Sequence, residues 1–271
     1  MQRDSIANTF LVAVTLCVVC AVMVSGAAVG LRTVQEANKQ LDRQKNVLMA
    51  AGLIDAKADA AKIREVFAAR ISPIVVDLKT GEVLEGVDPA TVDGLREAKS
   101  KDPELCTELS EDPAKLKARE NRSVVYRVLA EGSTDKVELY VFPIRGYGLW
   151  STLFGFIALE GDLNTVQGIT YYQHGETPGL GGEVDNPLWK AKWQGKSLYD
   201  AEGEVALRVV KGGAAPDAPS QVDALSGASI TSVGVENMIR FWFGDLGFRS
   251  FVEKNRSAAV ATAAAGGEEM R

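Results

Sequence analysis

Apolar and polar positions follow three rhythms along this chain. The first is an unbroken run: from Phe10 to Leu31 no side chain carries a charge, a stretch of 22 residues. A helix of that length spans roughly 30 Å, about the hydrocarbon thickness of a bilayer. The run predicts a single transmembrane helix. A cleaved signal peptide competes with that reading, since Ser25-Gly26-Ala27-Ala28 offers small residues for cleavage. Against it, Arg3 is offset by Asp4, and the run is longer than an ordinary signal core. The second rhythm is helical, from Val34 to Leu53 and again from Ala56 to Ala69. The third is strand-like: Ile71 to Asp77, a turn over Lys79-Thr-Gly-Glu82, then Val83-Leu84. Further strand-like runs cover Ser123 to Leu129, Val137 to Ile144, Phe154 to Leu159, Thr165 to Tyr172 and Val205 to Val210. Between them, 97 to 120 reads as a charged helical or loop excursion. Helix returns at Val233 to Phe243 and Phe248 to Lys254, and Ser257 to Arg271 reads as a flexible tail.

Strands and helices mix without regular βαβ alternation, so the expected class is α+β: a mixed sheet-and-helix domain behind one N-terminal transmembrane helix. The expected divisions are a stub at 1–9, the membrane helix at 10–31, a helical connector at 32–70, the domain at 71–256 and the tail at 257–271.

Composition narrows the function. Among 271 residues, 30 Lys+Arg face 36 Asp+Glu, a formal charge of −6. A chain without cationic surplus argues against nucleic-acid binding, which is built on phosphate neutralisation. Three cysteines, Cys17, Cys20 and Cys106, are too few and too scattered for a disulfide framework or a zinc site. With His174 as the only histidine, no catalytic or metal-ligating set emerges from the side chains. Flanking charge leans toward a cytoplasmic C-terminal domain, because Arg32, Lys39, Arg43 and Lys45 follow the apolar run and only Arg3 precedes it.

Three glycine-rich segments remain. In Arg145-Gly-Tyr-Gly-Leu-Trp-Ser151, backbone could approach a flat ligand while Leu149 or Trp150 packs against it. Equally, this is a glycine turn between strands with a core tryptophan. In His174-Gly-Glu-Thr-Pro-Gly-Leu-Gly-Gly182, Pro178-Gly179 favours a type II turn, and Glu176 and Thr177 supply side-chain polar groups; the alternative is a plain surface loop. In Ser226-Gly-Ala-Ser-Ile-Thr231, the hydroxyl of Thr231 precedes an apolar helical pattern. It could cap that helix, or carry a phosphate where helix amides favour an anion.

These residues resemble a known family. Ser226, Gly227, Ala228, Ser229 and Thr231 stand in the Ser/Thr-Gly-Ala-Thr-x-Ser/Thr signature of proteins that carry flavin mononucleotide (FMN) in phosphoester linkage to the last hydroxyl; Ser229 departs from the usual threonine but keeps a hydroxyl. The segments at 146–150 and 174–181 are similar to the other two signatures of that FMN-binding domain. The stretch from Asp4 to Leu53, including Val24-Ser-Gly-Ala-Ala-Val-Gly-Leu-Arg32, and Phe241-Trp-Phe-Gly-Asp-Leu-Gly-Phe248 resemble the NqrC family, which belongs to the sodium-translocating NADH:quinone reductases.

The resemblance implies FMN esterified to Thr231 and contacted by Ser226, Gly227, Ala228, Ser229, Glu176, Thr177, Leu180, Gly181, Leu149 and Trp150. It implies electron relay inside a membrane complex of six subunits that oxidises NADH, reduces ubiquinone and exports sodium, with no catalytic side chain and no metal on this chain. It also implies attachment by an FMN transferase that uses FAD, and a bacterial inner-membrane location with the FMN domain periplasmic, against the weak charge rule. The homologous flavin protein of the ferredoxin:NAD oxidoreductase electron-transport complex shares these signatures and stays open as an alternative. So does a membrane-anchored binding module of the same fold without redox function.

Overall fold

The computed structural model describes residues 5–215 and 217–256, so the tail at 257–271 and the first four residues of the stub lie outside the described residues. The chain divides into two compact units between Arg43 and Gln44. Residues 44–70, expected as part of a connector, fall in the second unit with the sheet.

Helix α1 (Ile6–Ala50) carries the apolar run and continues unbroken through the segment expected to follow it. It is long and apolar enough to cross a membrane. Near its end Asn46, Val47, Leu48 and Ala50 are buried in the second unit.

Helix α2 (Ala60–Arg70) starts four residues later than its pattern suggested. Asp59 sets the start by accepting the Lys62 amide at 2.8 Å, satisfying one of the amides a first turn leaves open. The chain then passes directly into β1 (Ile71–Asp77). The strand expected at 83–84 reduces to a single bridge between Val76 and Val83.

The excursion at 97–120 is more ordered than expected. A short helix α3 (Gly94–Ala98) leads into it, and it holds two three-residue strands, β2 (Cys106–Glu108) and β3 (Ala118–Glu120), which pair antiparallel. Strands this short show no readable alternation. Two ion pairs tie the excursion to the sheet: Arg122 on Glu97, and Arg145 on Glu120, the latter with both carboxylate oxygens engaged.

The main sheet adds β4 (Arg122–Leu129), β5 (Val137–Tyr147), β6 (Thr152–Glu160) and β7 (Val166–Gln173) to β1, in the order β1-β4-β5-β6-β7, antiparallel throughout. Beyond it come α4 (Pro187–Ala191), a small parallel pair of β8 (Arg208–Val210) and β9 (Gln221–Asp223), and α5 (Ser229–Phe243). Of the run expected at 205–210, only the last three residues form a strand.

Alternation along the strands gives the sheet two apolar faces. On one, Phe156 meets Tyr126 and Tyr172, with Phe67 of α2 edge-on to Tyr126. The end of α1 covers the same side, where the Thr170 hydroxyl donates to the Asn46 carbonyl at 3.0 Å. On the other, Phe142, Ile144, Leu153 and Ile157 pack with Val235, Met238, Ile239 and Phe243 of α5 and with Phe248 and Phe251 beyond it. Helix α5 lies close on β5: a Cβ on Gly146 would stand 2.7 Å from the Met238 Cβ. The indole N–H of Trp242 fixes the pair by donating to the Arg145 carbonyl at 2.7 Å.

Phe142 is fully buried, with ring centroids 5.3 Å from Phe243 and 5.0 Å from Phe248. Phe142→Ala is expected to cost about 3–5 kcal/mol. In thermal melts the midpoint should fall by about 6–20 °C for a domain of this size; a smaller shift would mean the cavity collapses or the ring is not central.

Candidate functional site

The three glycine-rich segments, far apart in sequence, meet at one carboxylate. The first is the turn from β5 to β6. Gly148 donates its amide to the Ser151 carbonyl at 2.9 Å, which closes the turn and aims the following amides inward. Those of Leu149, Trp150 and Ser151 converge on Glu176, at 3.2, 2.9 and 3.2 Å from Oε1. The Leu149 and Trp150 side chains face outward: Trp150 is 65% exposed, so the core-tryptophan reading fails while the glycine turn stands.

The second segment follows β7. Its entry is fixed by the Ser151 hydroxyl, which accepts the Gly175 amide at 2.6 Å, and by His174. The imidazole Nδ1 accepts the Glu176 amide at 3.2 Å, which leaves Nε2 to carry the proton toward Asp185 at 2.8 Å. Next, Thr177-Pro-Gly-Leu180 closes a turn through the Leu180 amide and the Thr177 carbonyl, 3.1 Å apart, and Gly179 supplies the φ of +76° that the turn's third residue needs. Gly181 has no room for a side chain: a Cβ there would lie 2.6 Å from Thr231 Oγ1 and 2.7 Å from Glu176 Oε2.

The third segment leads into α5. Ser232 ties it down, donating to the Ala228 carbonyl at 3.0 Å while accepting the Leu225 amide at 2.9 Å. Helix α5 starts at Ser229, with Ala228 at the cap position and no side-chain cap. Thr231 is therefore not a cap; it is the third helical residue. Its hydroxyl donates to Glu176 Oε2 at 2.6 Å, and the residue is only 1% exposed.

Glu176 itself is 5% exposed. Burial pushes its carboxyl up, but the hydrogen bonds from Thr231 and the amides of Trp150, Leu149 and Ser151 outweigh that and hold it below its ordinary value. The group is thus an ionised carboxylate with its donors in place.

Of the other expected contact residues, Ala228 and Gly181 are buried at this junction, while Ser226, Gly227, Ser229, Thr177 and Leu180 are exposed around it. Leu180 lies over Gly227, its Cδ2 3.1 Å from where a Cβ would stand. Among the described residues beyond 43, the exposed large apolar side chains gather here: Tyr147, Leu149, Trp150, Leu180, Ile230 and Val233, with Val83, Leu95 and Leu188 elsewhere. The site thus offers an uncapped helix start, a buried hydroxyl and an apolar rim, a combination suited to a ligand with an anionic end and a flat apolar body. Sequence reasoning missed Ser151, Asp185, Ser232, Ile230 and Val233. Only Ser151 and Ser232, small hydroxyls inside or beside the glycine-rich segments, gave any local signal.

Fold and site together define an FMN-binding domain, and residues 148–244 match the FMN-binding domain family. The chain is 48% identical over 260 residues to the NqrC protein of the Na(+)-translocating NADH-quinone reductase of Pseudomonas aeruginosa, covering 94% of this chain and 98% of that protein. It is 46% identical over 259 residues to the corresponding protein of Vibrio vulnificus, covering 96% and 99%. Among solved structures, the Shewanella oneidensis NqrC superposes with a TM-score of 0.74 at 37% identity, covering 82% of this chain and 99% of that one. The chain belongs to the NqrC family of Na(+)-translocating NADH-quinone reductase subunits.

Because the folded Glu176 carboxyl titrates below its unfolded counterpart, the stability it adds is fully present above the usual glutamate value of about 4.3 and is lost as pH falls through the lower folded value. Denaturant melts of the wild-type chain and Glu176→Gln should differ most above the usual glutamate value of about 4.3 and converge as pH falls below it. A constant gap would show that the charge is not what holds the loops.

Proposed function

We propose that this chain is the flavin-carrying electron-transfer subunit of a sodium-translocating NADH:quinone reductase, relaying electrons through FMN held by a phosphoester to Thr231. The observation that carries the reading is the junction at Glu176, where the Thr231 hydroxyl is fixed at the uncapped start of α5 beside the two other glycine-rich segments. The residues present suit the group. Amides at a helix start and the positive end of its dipole favour a phosphate. Ser226, Gly227, Ala228 and Ser229 would border that phosphate, with Glu176 beside the ester oxygen, and Leu149, Trp150, Leu180, Gly181 and Thr177 would border the ring system.

When bound, FMN supplies the one- and two-electron chemistry. The chain's own part is position. A covalent tether removes dissociation, and a turn and a helix packed on a five-stranded sheet hold the attachment point still. On this reading Thr231 is the substrate of a modification, carried out by an FMN transferase that uses FAD, and the partners are the other members of a complex of six subunits.

Helix α1 would cross the bacterial inner membrane once and place the flavin domain on the periplasmic side. The basic residues after the apolar run lean the other way. The rule is weak here, with one arginine before the run and partner subunits able to set topology.

Thr231→Ala should abolish the flavin fluorescence that stays with the chain on a denaturing gel, and a band that still fluoresces would place the attachment elsewhere. A reporter fused after Lys254 should be active only outside the cytoplasm; cytoplasmic activity would reverse the orientation.

A further inference from the structure

The setting of the Thr231 hydroxyl bears on how a phosphoester would form there. A threonine hydroxyl is a weak nucleophile at neutral pH and reacts readily only when a neighbouring base takes its proton. The hydroxyl has one such neighbour at hydrogen-bond distance, Oε2 of Glu176, at 2.6 Å. The carboxylate is aimed from its other side: the Trp150 and Ser151 amides bond Oε1, and the Leu149 amide spans both oxygens at 3.2 Å. Three donors from a separate turn thus orient one oxygen and leave the other facing the hydroxyl.

We infer that Glu176 is the proton acceptor for flavin attachment, taking the Thr231 proton as the Oγ1–phosphorus bond forms. The inference rests on the reading of Thr231 as the attachment point. The donor is a flavin dinucleotide. Oγ1 attacks its flavin-side phosphorus, the bond from that phosphorus to the bridging oxygen breaks, and nucleoside monophosphate leaves with that oxygen and the bonding pair. The proton of Thr231 passes to Oε2, and nothing is oxidised or reduced.

Thr231 is buried, so the donor reaches Oγ1 only when its cover moves. That cover includes the turn carrying Leu180 and Gly181. Glu176 is held independently of the turn by amides from the β5–β6 connection, so the base keeps its place while the turn gives way.

The test is in vitro attachment, using the full-length chain in detergent, the FMN transferase and FAD, followed by intact mass and in-gel fluorescence over time. Wild type should gain one flavin and Thr231→Ala none. Glu176→Gln keeps the size and an acceptor oxygen but loses the basicity. It should lower kcat for attachment about 100-fold or more, with the KM for the acceptor chain within about threefold of wild type. Glu176→Asp restores a carboxylate at shorter reach and should recover at least about tenfold of that loss. A Glu176→Gln chain labelled at the wild-type kcat, or affected in KM alone, overturns the role of Glu176 and leaves the attachment point standing. Label on Thr231→Ala overturns the attachment point itself. Should the Gln variant fail to fold, Glu176→Asp carries the test, with kcat expected about tenfold or more below wild type at unchanged KM; a wild-type kcat overturns the inference.

Discussion

The carboxylate of Glu176 is the contact on which the site depends. It accepts three amides from the turn between β5 and β6 and the hydroxyl of Thr231 from α5, while its own amide is held by His174. A charge this buried is costly unless its lone pairs are used. Here they are, and the benefit runs both ways: hydrogen bonds to a charged group contribute about 1.5–3 kcal/mol each, and losing the acceptor would strand four donors. A neutral replacement could fill the space but would hold these donors less strongly. Three segments that share no strand pairing with one another in this region are thereby fixed to a common point.

That point stays still because each contributor is anchored elsewhere. The β5–β6 turn ends two long, paired strands whose register runs from Leu139 and Glu160 to Tyr147 and Thr152. Helix α5 cannot slide along β5, since Gly146 admits Met238 at close range and Trp242 bonds the Arg145 carbonyl, with the Arg145 guanidinium 5.0 Å over the same indole. Arg145 is also paired with Glu120, so the excursion at 97–120 braces the same strand. The approach to the third segment is held by Trp189, whose indole donates to the Asp223 carbonyl at 2.7 Å, and by the Lys192–Asp223 ion pair.

Much of this fold was legible because its main strands are long enough to show alternation. β4, β5, β6 and β7 lie where the pattern put them, and α1 runs through its helix formers to Ala50, short of the expected Leu53. What failed was short or decided by packing. β2 and β3 have three residues each, too few for a period, and their pairing is set by partners across the excursion. Helix α5 begins at Ser229 rather than Val233 because burial of Thr231, Ser232 and Gly234 outweighs the poor intrinsic helix propensity of Ser, Thr and Gly. Of the two readings open for Trp150, the core one is excluded by its exposure. Its exposure becomes intelligible only beside Leu149, Leu180 and Ile230. Glu176 was legible as a polar group in a glycine-rich loop, but its bond to Thr231 crosses 55 positions and leaves no local trace. The grouping of the three segments came from family resemblance; the carboxylate that joins them came from the structure.

The proposed esterification of Thr231 would change this junction. The Thr231 hydroxyl is the side-chain donor that helps hold the Glu176 carboxyl below its ordinary value. A phosphoester at Oγ1 removes that proton and sets an anionic phosphate near the carboxylate. Both changes disfavour the charged form. A carboxylate that has taken the proton is then better suited to its new surroundings than one that has not. The alternative, keeping two anions side by side in a buried pocket, would pull Glu176 away from the turn it organises. The lowered proton affinity of Glu176 thus goes with a free Thr231 hydroxyl, and a phosphoester at that oxygen would raise it.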